Sequence, residues 1–286
     1  MSKRRLSQLL ASILSNSYLP GWLKGRIYQG KLKMICVPFL NCYSCPGAFG
    51  SCPVGAFQSL AAGYGRTISL YIIGFLLTVG ALGGRFVCGW LCPFGLVQEL
   101  VYRGKRITRK LPHLLEKVKY LVLGLTIALP FFWRDLTGLA EPYFCKFVCP
   151  AGTLGAGLPL VGMNPALQSL VGWLFSWKLL VLILVMVAAH YYWRVFCRVL
   201  CPLGAFYGLL NRWSIWRLHL NRHLCTNCGA CARQCKAALT PQIEPNGSAC
   251  VRCLECVSVC PTKALIFTSK TPGSQVFVSK GHPIGK

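Results

Sequence analysis

The chain has 286 residues, of which 54% are hydrophobic and only 13% charged, with a mean hydropathy of +0.51. A soluble protein carries about 25% charged residues, so this composition argues for a surface that faces lipid. The net charge is +25, but the Lys and Arg cluster beside the ends of apolar segments, the pattern that orients membrane proteins and not one that selects nucleic acid.

Residues 1–66 open with Lys3, Arg4 and Arg5, continue through an apolar stretch from Leu6 to Leu23, and reach a cysteine-rich loop. That loop holds Cys36, Asn41-Cys42-Tyr43-Ser44-Cys45-Pro46 and Cys52-Pro53. Residues 67–213 read as a helical membrane domain. Its first span is Thr67 to Gly84, followed by a basic connection from Arg103 to Lys119 and a second apolar run from Tyr120 to Trp133. Between Phe147 and Trp177 glycines and prolines interrupt an uncharged stretch, which suits re-entrant structure packed on protein. Leu179 to Trp193 is the last span, with interfacial aromatics at its ends. Residues 214–268 form a cysteine-rich module, and 269–286 a tail.

The basic 101–119 connection belongs on the cytoplasmic side, and so do the residues after Arg194. The 134–146 connection and the stretch from Cys36 to Gly65 then face outward. A basic N-terminus held inside requires Leu6 to Leu23 to cross, with an interfacial helix as the alternative. The spans are shorter than the ~20 residues that cross ~30 Å of hydrocarbon, so either their flanks snorkel or the cysteine loops dip into the bilayer.

Eighteen cysteines fall almost entirely into CxxC, CxxxC and CP groupings. Near the C-terminus Cys225-x2-Cys228-x2-Cys231-x3-Cys235 precedes Cys250-x2-Cys253-x2-Cys256-x3-Cys260-Pro261. A cubane takes three thiolates from one tight turn, and the fourth Cys of each run serves the other cluster. Cys225, Cys228, Cys231 and Cys260 are therefore assigned to one [4Fe–4S] cluster, and Cys250, Cys253, Cys256 and Cys235 to a second. Residues 220–268 resemble the bacterial two-cluster ferredoxin, with Lys236 where that family usually has Pro.

Arg85-Phe-Val-Cys88-Gly-Trp-Leu-Cys92-Pro-Phe-Gly repeats as Arg194-Val-Phe-Cys197-Arg-Val-Leu-Cys201-Pro-Leu-Gly, each after a span. Continued as helix, the segment would place Cys88 and Cys92 on one face. Pro93 and Pro202 would begin helices, with thiolate favoured at their N-termini. Cys88, Cys92, Cys197 and Cys201 thus form a candidate inner four-thiolate site for [4Fe–4S], with zinc as the alternative. A fainter echo, Cys52-Pro-Val-Gly and Cys149-Pro-Ala-Gly, points to an outer site. It would be built from Cys145, Cys149 and two of Cys42, Cys45 and Cys52, with disulfides or a thiol relay as the alternative and Cys36 as a buried thiol. His190 reads as a packing histidine before a quinone or haem contact. Glu141 reads as a loop cap before a proton relay, and Arg103 to Arg109 as a membrane anchor before a docking patch.

Paired CxxxCP motifs after membrane spans, followed by a two-cluster ferredoxin, are similar to the polyferredoxin-like membrane proteins of the NapH/NosR type over residues 60–268. The resemblance implies a mainly α, polytopic, two-halved membrane domain with a small α+β ferredoxin domain on the cytoplasmic face of the inner membrane. It further implies an electron-transfer subunit more than a stand-alone enzyme, working with redox partner proteins such as a soluble ferredoxin or flavoprotein, and with a quinone as a further partner. Cysteines in the outer loops depart from NapH, and the lack of an outer flavin domain departs from NosR. A membrane reductase of a quinone or metal ion, and a metallocentre assembly or sensor factor, are the competing functions.

Overall fold

The computed structural model describes residues 3–63, 69–102, 110–133 and 140–269. The basic run Arg103 to Arg109, the first part of the 134–146 connection (134–139) and nearly all of the C-terminal tail lie outside the described residues.

The chain opens with α1 (Lys3–Ser15) and α2 (Leu19–Lys24). Leu6 to Leu23 is not one helix: a turn at Asn16 to Tyr18 separates α1 from α2. At the start of α1, Arg4 pairs with Glu99 and Glu255. At its end, the Ser15 carbonyl accepts from the Phe49 N–H in the cysteine-rich loop. Thirteen residues, about 20 Å of helix, therefore join the C-terminal lobe to the loop assigned to the opposite face.

Four helices share one mode of initiation. α3 (Pro53–Ala62), α6 (Pro93–Val101), α8 (Pro150–Gly152) and α13 (Pro202–Leu210) each follow an extended Cys and begin with Pro. Proline has no N–H to lose there and its fixed φ suits the first helical position. Between them run α4 (Leu70–Gly83), α5 (Phe86–Trp90), α7 (His113–Phe132), α9 (Leu158–Met163), α10 (Pro165–Gln168), α11 (Trp173–Tyr191) and α12 (Val195–Val199). A π-helical turn, Phe144–Val148, stands before Cys149, and a second, Thr153–Gly157, joins α8 to α9.

α4, α5 and α6 match α11, α12 and α13 in order and role. The packing is reciprocal: α6 lies on α11 and α13 lies on α4 and α7, while α3 packs on α7 and α8 on α11. All the CP helices enclose one hydrophobic core that contains Cys52, Cys88, Cys92, Cys149, Cys197 and Cys201 together with Phe39, Phe94, Phe144, Phe196 and Tyr207. Large apolar side chains also line the outside, including Leu70, Leu77, Leu121, Leu125, Leu180, Ile183, Leu184 and Val187. Among the described residues one helix, α11, is long and apolar enough to cross a membrane; α4 is a shorter apolar helix.

The C-terminal lobe is closed by antiparallel β1 (Arg217–Leu220) and β2 (Leu265–Thr268), which pair Leu218 with Phe267 and Leu220 with Leu265. Between them lie the two cysteine runs and the short helices α14 (Ala230–Gln234) and α15 (Glu255–Ser258). The lobe is wedged into the helical part by the loop from Gly247 to Arg252. Gly89 on α5 and Gly208 on α13 make room for it: a Cβ there would lie 2.3 Å from the Val251 carbonyl oxygen and 2.8 Å from that of Ser248. Asn211 Nδ2 donates to the carbonyls of Cys250 (2.8 Å) and Gly247 (3.1 Å). Trp90 Nε1 donates to Arg252 O (3.1 Å), and Arg252 Nη1 to Gly83 O (2.8 Å). Bonds of this kind leave few buried backbone groups unpaired at the junction.

Candidate metal centres

All eighteen cysteines are free, and the structure gathers sixteen of them into four groups of four. Cys225, Cys228, Cys231 and Cys260 line one small cavity roofed by Leu220 and Leu265. Burial raises the Cys256 thiol, and Cys250, Cys253 and Cys235 raise it further because all four lie together. Each run therefore gives three thiols to one group and its last thiol to the other. Cys228 is exposed and held below the usual thiol range by the Ala230 N–H and the Thr226 hydroxyl. Cys253 is half-buried, and desolvation pushes it up to about 12. The first group faces outward and the second faces the helical part.

The inner group is Cys88, Cys92, Cys197 and Cys201, buried where the two halves meet. α5 ends at Trp90, and Cys92 is extended as the N-cap of α6, so Cys88 and Cys92 do not share a continuous helix face. The bend at Leu91 instead turns both thiols toward the other half. Burial pushes Cys92 up to about 12, with Cys197 and Cys88 adding to the effect. Cys201 is likewise raised by burial, then by Cys197 and Cys88. Four thiolates can coexist there only when a cationic core neutralises them.

N–H donors already point at this group. The Gly204 N–H reaches Cys201 Sγ at 3.3 Å, and Gln98 Nε2 reaches Cys197 Sγ at 3.2 Å. Gln98 Oε1 accepts from the Phe196 N–H, 3.1 Å away, so the Gln of one half holds the cysteine turn of the other. The repeated arginines cross in the same way. Arg85 Nη2 donates to the Cys197 carbonyl at 2.6 Å, whereas Arg194 donates to the carbonyls of Cys88 and Gly89. Both arginines are fully buried. Arg194 sits in the left-handed region (φ 49°), a conformation that costs about 1–2 kcal/mol in a non-glycine residue. Glu99 holds it there, accepting from Arg194 Nε at 2.7 Å and from Arg4 Nη1 at 2.6 Å.

The outer group is Cys42, Cys52, Cys145 and Cys149, which line a cavity of about 310 Å³ with Asn41, Tyr43, Lys146 and Lys178. Burial pushes Cys149 up to about 12, and Cys42 and Cys52 raise it further. Cys45 is buried beside Cys42 and Lys33 but outside this lining, and Cys36 pairs its backbone with Ser51. Gln58 is the counterpart of Gln98, six residues after its own CP cysteine. It is fully buried, and its Oε1 accepts from the Cys145 N–H at 3.4 Å. The Asn41 side-chain amide is buried with no partner for its Nδ2. An unpaired donor beside four thiols fits an anionic metal–sulfur group, since leaving it unmet costs about 1–3 kcal/mol.

Among the described residues no three Cys, His, Asp or Glu side chains form a site for a single metal ion. Four soft sulfur donors set wider than one ion requires fit a cubane better than zinc. Tyr207 stands between the inner and outer groups. Burial raises its phenol, and Cys88 and Cys52, one from each group, raise it further; its hydroxyl donates to Pro38 O at 3.1 Å. Arg85 links the inner group to the lobe, donating through Nη1 to Ser248 O at 2.8 Å while Nη2 holds Cys197. Glu141 is paired with Lys146, and His190 packs edge-on against Tyr191.

The residues missed from the sequence are Gln58, Gln98, Asn41, Tyr207 and Lys178. A fixed offset from the CP cysteine marks three of them: Gln58, Gln98 and Tyr207 each stand six residues after it.

Three stretches, 66–110, 120–159 and 173–221, match a family model described as a 4Fe-4S binding domain, and residues 243–266 match a second model of that description. Each of the first three carries one CxxxCP motif, so the repeat is threefold and the Cys145–Cys149 motif is a full copy. The ferredoxin-type protein NapH of Haemophilus influenzae is 27% identical over 285 residues, 93% of this chain and 88% of its own. An uncharacterised protein of Methanocaldococcus jannaschii is 30% identical over 219 residues, 73% of this chain and 74% of its own. The methylamine utilization ferredoxin-type protein MauN of Methylorubrum extorquens is 32% identical over 206 residues, 68% of this chain and 64% of its own. No solved structure matches the chain. These matches define a 4Fe–4S-binding protein. The chain belongs to the NapH/NosR-type family of ferredoxin-like proteins.

Proposed function

We propose that this chain is a membrane-bound electron conduit with four [4Fe–4S] clusters in series. Cys225, Cys228, Cys231 and Cys260 hold the first, and Cys235, Cys250, Cys253 and Cys256 the second. Cys88, Cys92, Cys197 and Cys201 hold the third, and Cys42, Cys52, Cys145 and Cys149 the fourth. The clusters supply one-electron redox chemistry; the chain fixes their order, excludes water and sets the charge around them.

The observation that carries this reading is the continuity of the side chains between groups. Arg85 touches both the Ser248 loop of the lobe and the Cys197 turn, and Tyr207 lies between the inner and outer thiols in a single core. A metallocentre-assembly factor has no use for such continuity. A reductase would need an iron with an open corner, yet each group offers four thiols.

The apolar surface of α4, α7 and α11 supports insertion in the cytoplasmic membrane. The Lys/Arg distribution sets the lobe on the cytoplasmic side. There the exposed Cys228, flanked by Arg222, His223 and Arg233, suits docking of an acidic soluble ferredoxin or flavoprotein. The acceptor is a partner protein, or a quinone, at the Cys42–Cys149 end.

Anaerobic iron and acid-labile sulfide analysis of the purified protein tests the reading. About sixteen irons per chain are expected at four per cubane, falling by about four in both Cys92→Ser and Cys149→Ser. About eight irons in the wild type, unchanged in either variant, would leave only the C-terminal pair and refute the conduit.

A further inference from the structure

The two groups in the helical part differ in how positive charge reaches them. The inner thiols lie between Arg85 and Arg194, both tied to backbone carbonyls of the cysteine turns. Among the described residues no arginine lines the outer cavity. Its cations are Lys146, already paired with Glu141, and Lys178, which forms no ion pair among the described residues. Among the described residues no carboxylate lines the cavity either.

Lys178 is the only Lys, Arg, Asp or Glu in the nineteen residues of α11. Charged residues within membrane helices are rare, face the protein interior and pair there. Here the side chain lines the outer cavity together with Cys42, Cys145 and Cys149. Asn41 adds a spare N–H donor to the same space. A free cation and a free donor facing four thiols complement a cluster whose total charge, thiolates included, is negative. Neutral thiols and a disulfide would leave both without a partner.

We propose that Lys178 is the fixed counter-charge of the outer cluster and raises its midpoint potential, which rests on the outer group holding a cubane. A positive charge favours the more negative, reduced form, so removing it makes reduction harder. Lys178 acts as a positioning charge and binds no iron itself.

EPR-monitored redox titration of the full-length protein tests this, with the outer signal identified as the one lost in Cys149→Ser. In Lys178→Met the oxidised-to-reduced ratio of that signal at fixed potential should rise about tenfold, a downward shift of about 59 mV for one electron. Lys178→Arg should stay within a third of that shift, and the signal lost in Cys92→Ser should not move. An outer signal with the same midpoint in wild type and Lys178→Met would overturn the proposal. Lys178→Gln is run beside it, so that loss of the cluster from the methionine variant still leaves a potential to read; loss from both would also overturn it. A wild type with no signal that depends on Cys149 would refute the outer cluster itself, a result distinct from either.

Discussion

Glu99→Gln strikes the ion pair that holds the two halves together at the inner site. Glu99 Oε1 accepts from Arg4 Nη1 at 2.6 Å and Arg194 Nε at 2.7 Å, with the Glu99 side chain 2% and the Arg194 side chain 0% exposed. Glutamine keeps an oxygen in place but removes the charge, so Arg194 is left buried against carbonyl dipoles alone. Breaking a buried pair from one side costs about 3–5 kcal/mol, or two to four powers of ten in the equilibrium at 1.36 kcal/mol per tenfold change. The inner turn should open first, because Arg194 also holds the Cys88 and Gly89 carbonyls. Denaturant titration of detergent-solubilised protein, followed by iron release and by the EPR signal lost in Cys92→Ser, reads both effects. Arg4→Met should cost less, since its loss still leaves Arg194 to pair with Glu99. A Glu99→Gln variant within 1 kcal/mol of wild type, with its inner signal intact, would refute the clamp. Acid carries the same information. Burial works against ionisation of Glu99, but Arg194 and Arg4 outweigh it and hold the carboxyl below the usual range. Its contribution is therefore complete above the unfolded value near 4.3 and is lost as pH falls through the lower folded value. Wild type should lose more stability than Glu99→Gln between about pH 5 and pH 3.

Cys52→Ser should remove about four irons at four per cubane, while Cys45→Ser should remove none; equal losses in the two would reassign the outer group. Gly208→Val, which sets a side chain against the Ser248 carbonyl, should loosen the C-terminal lobe while leaving its own two clusters in place. Limited proteolysis between residues 211 and 217 would show it, and wild-type resistance there would argue against the wedge. Gln98→Leu removes the donor to Cys197 Sγ and should lower the inner midpoint while leaving the outer one unchanged, as EPR titration would read; an unmoved inner midpoint would leave Gln98 a purely structural role.

The grouping of the thiols was legible wherever the cysteines keep a fixed spacing. The runs Cys225–Cys235 and Cys250–Cys260 announce both groups in the lobe, and the repeated RxxCxxxCP motif announces the inner one. The choice among Cys42, Cys45 and Cys52 was not legible, because the fold of a 17-residue loop, not a spacing, decides which thiols turn inward. Lys178 escaped because it falls at the seam between two apolar stretches, where a single charge looks like a boundary. The crossed arginines could be found as a repeat, but not as a crossing, since that depends on α6 packing against α11 and α13 against α4. The threefold character of the repeat was only half visible: a π-helical turn stands at Phe144–Val148 where the other copies have an α-helical one.

The exchanged guanidinium contacts bear on how such a chain arose. Each half completes its partner's cysteine turn, so a half-length polypeptide would expose an arginine with nothing to grip and a turn with nothing gripping it. Two such polypeptides side by side would satisfy one another. The present chain is therefore laid out as two halves that complete each other, with the four inner thiols gathered at their seam.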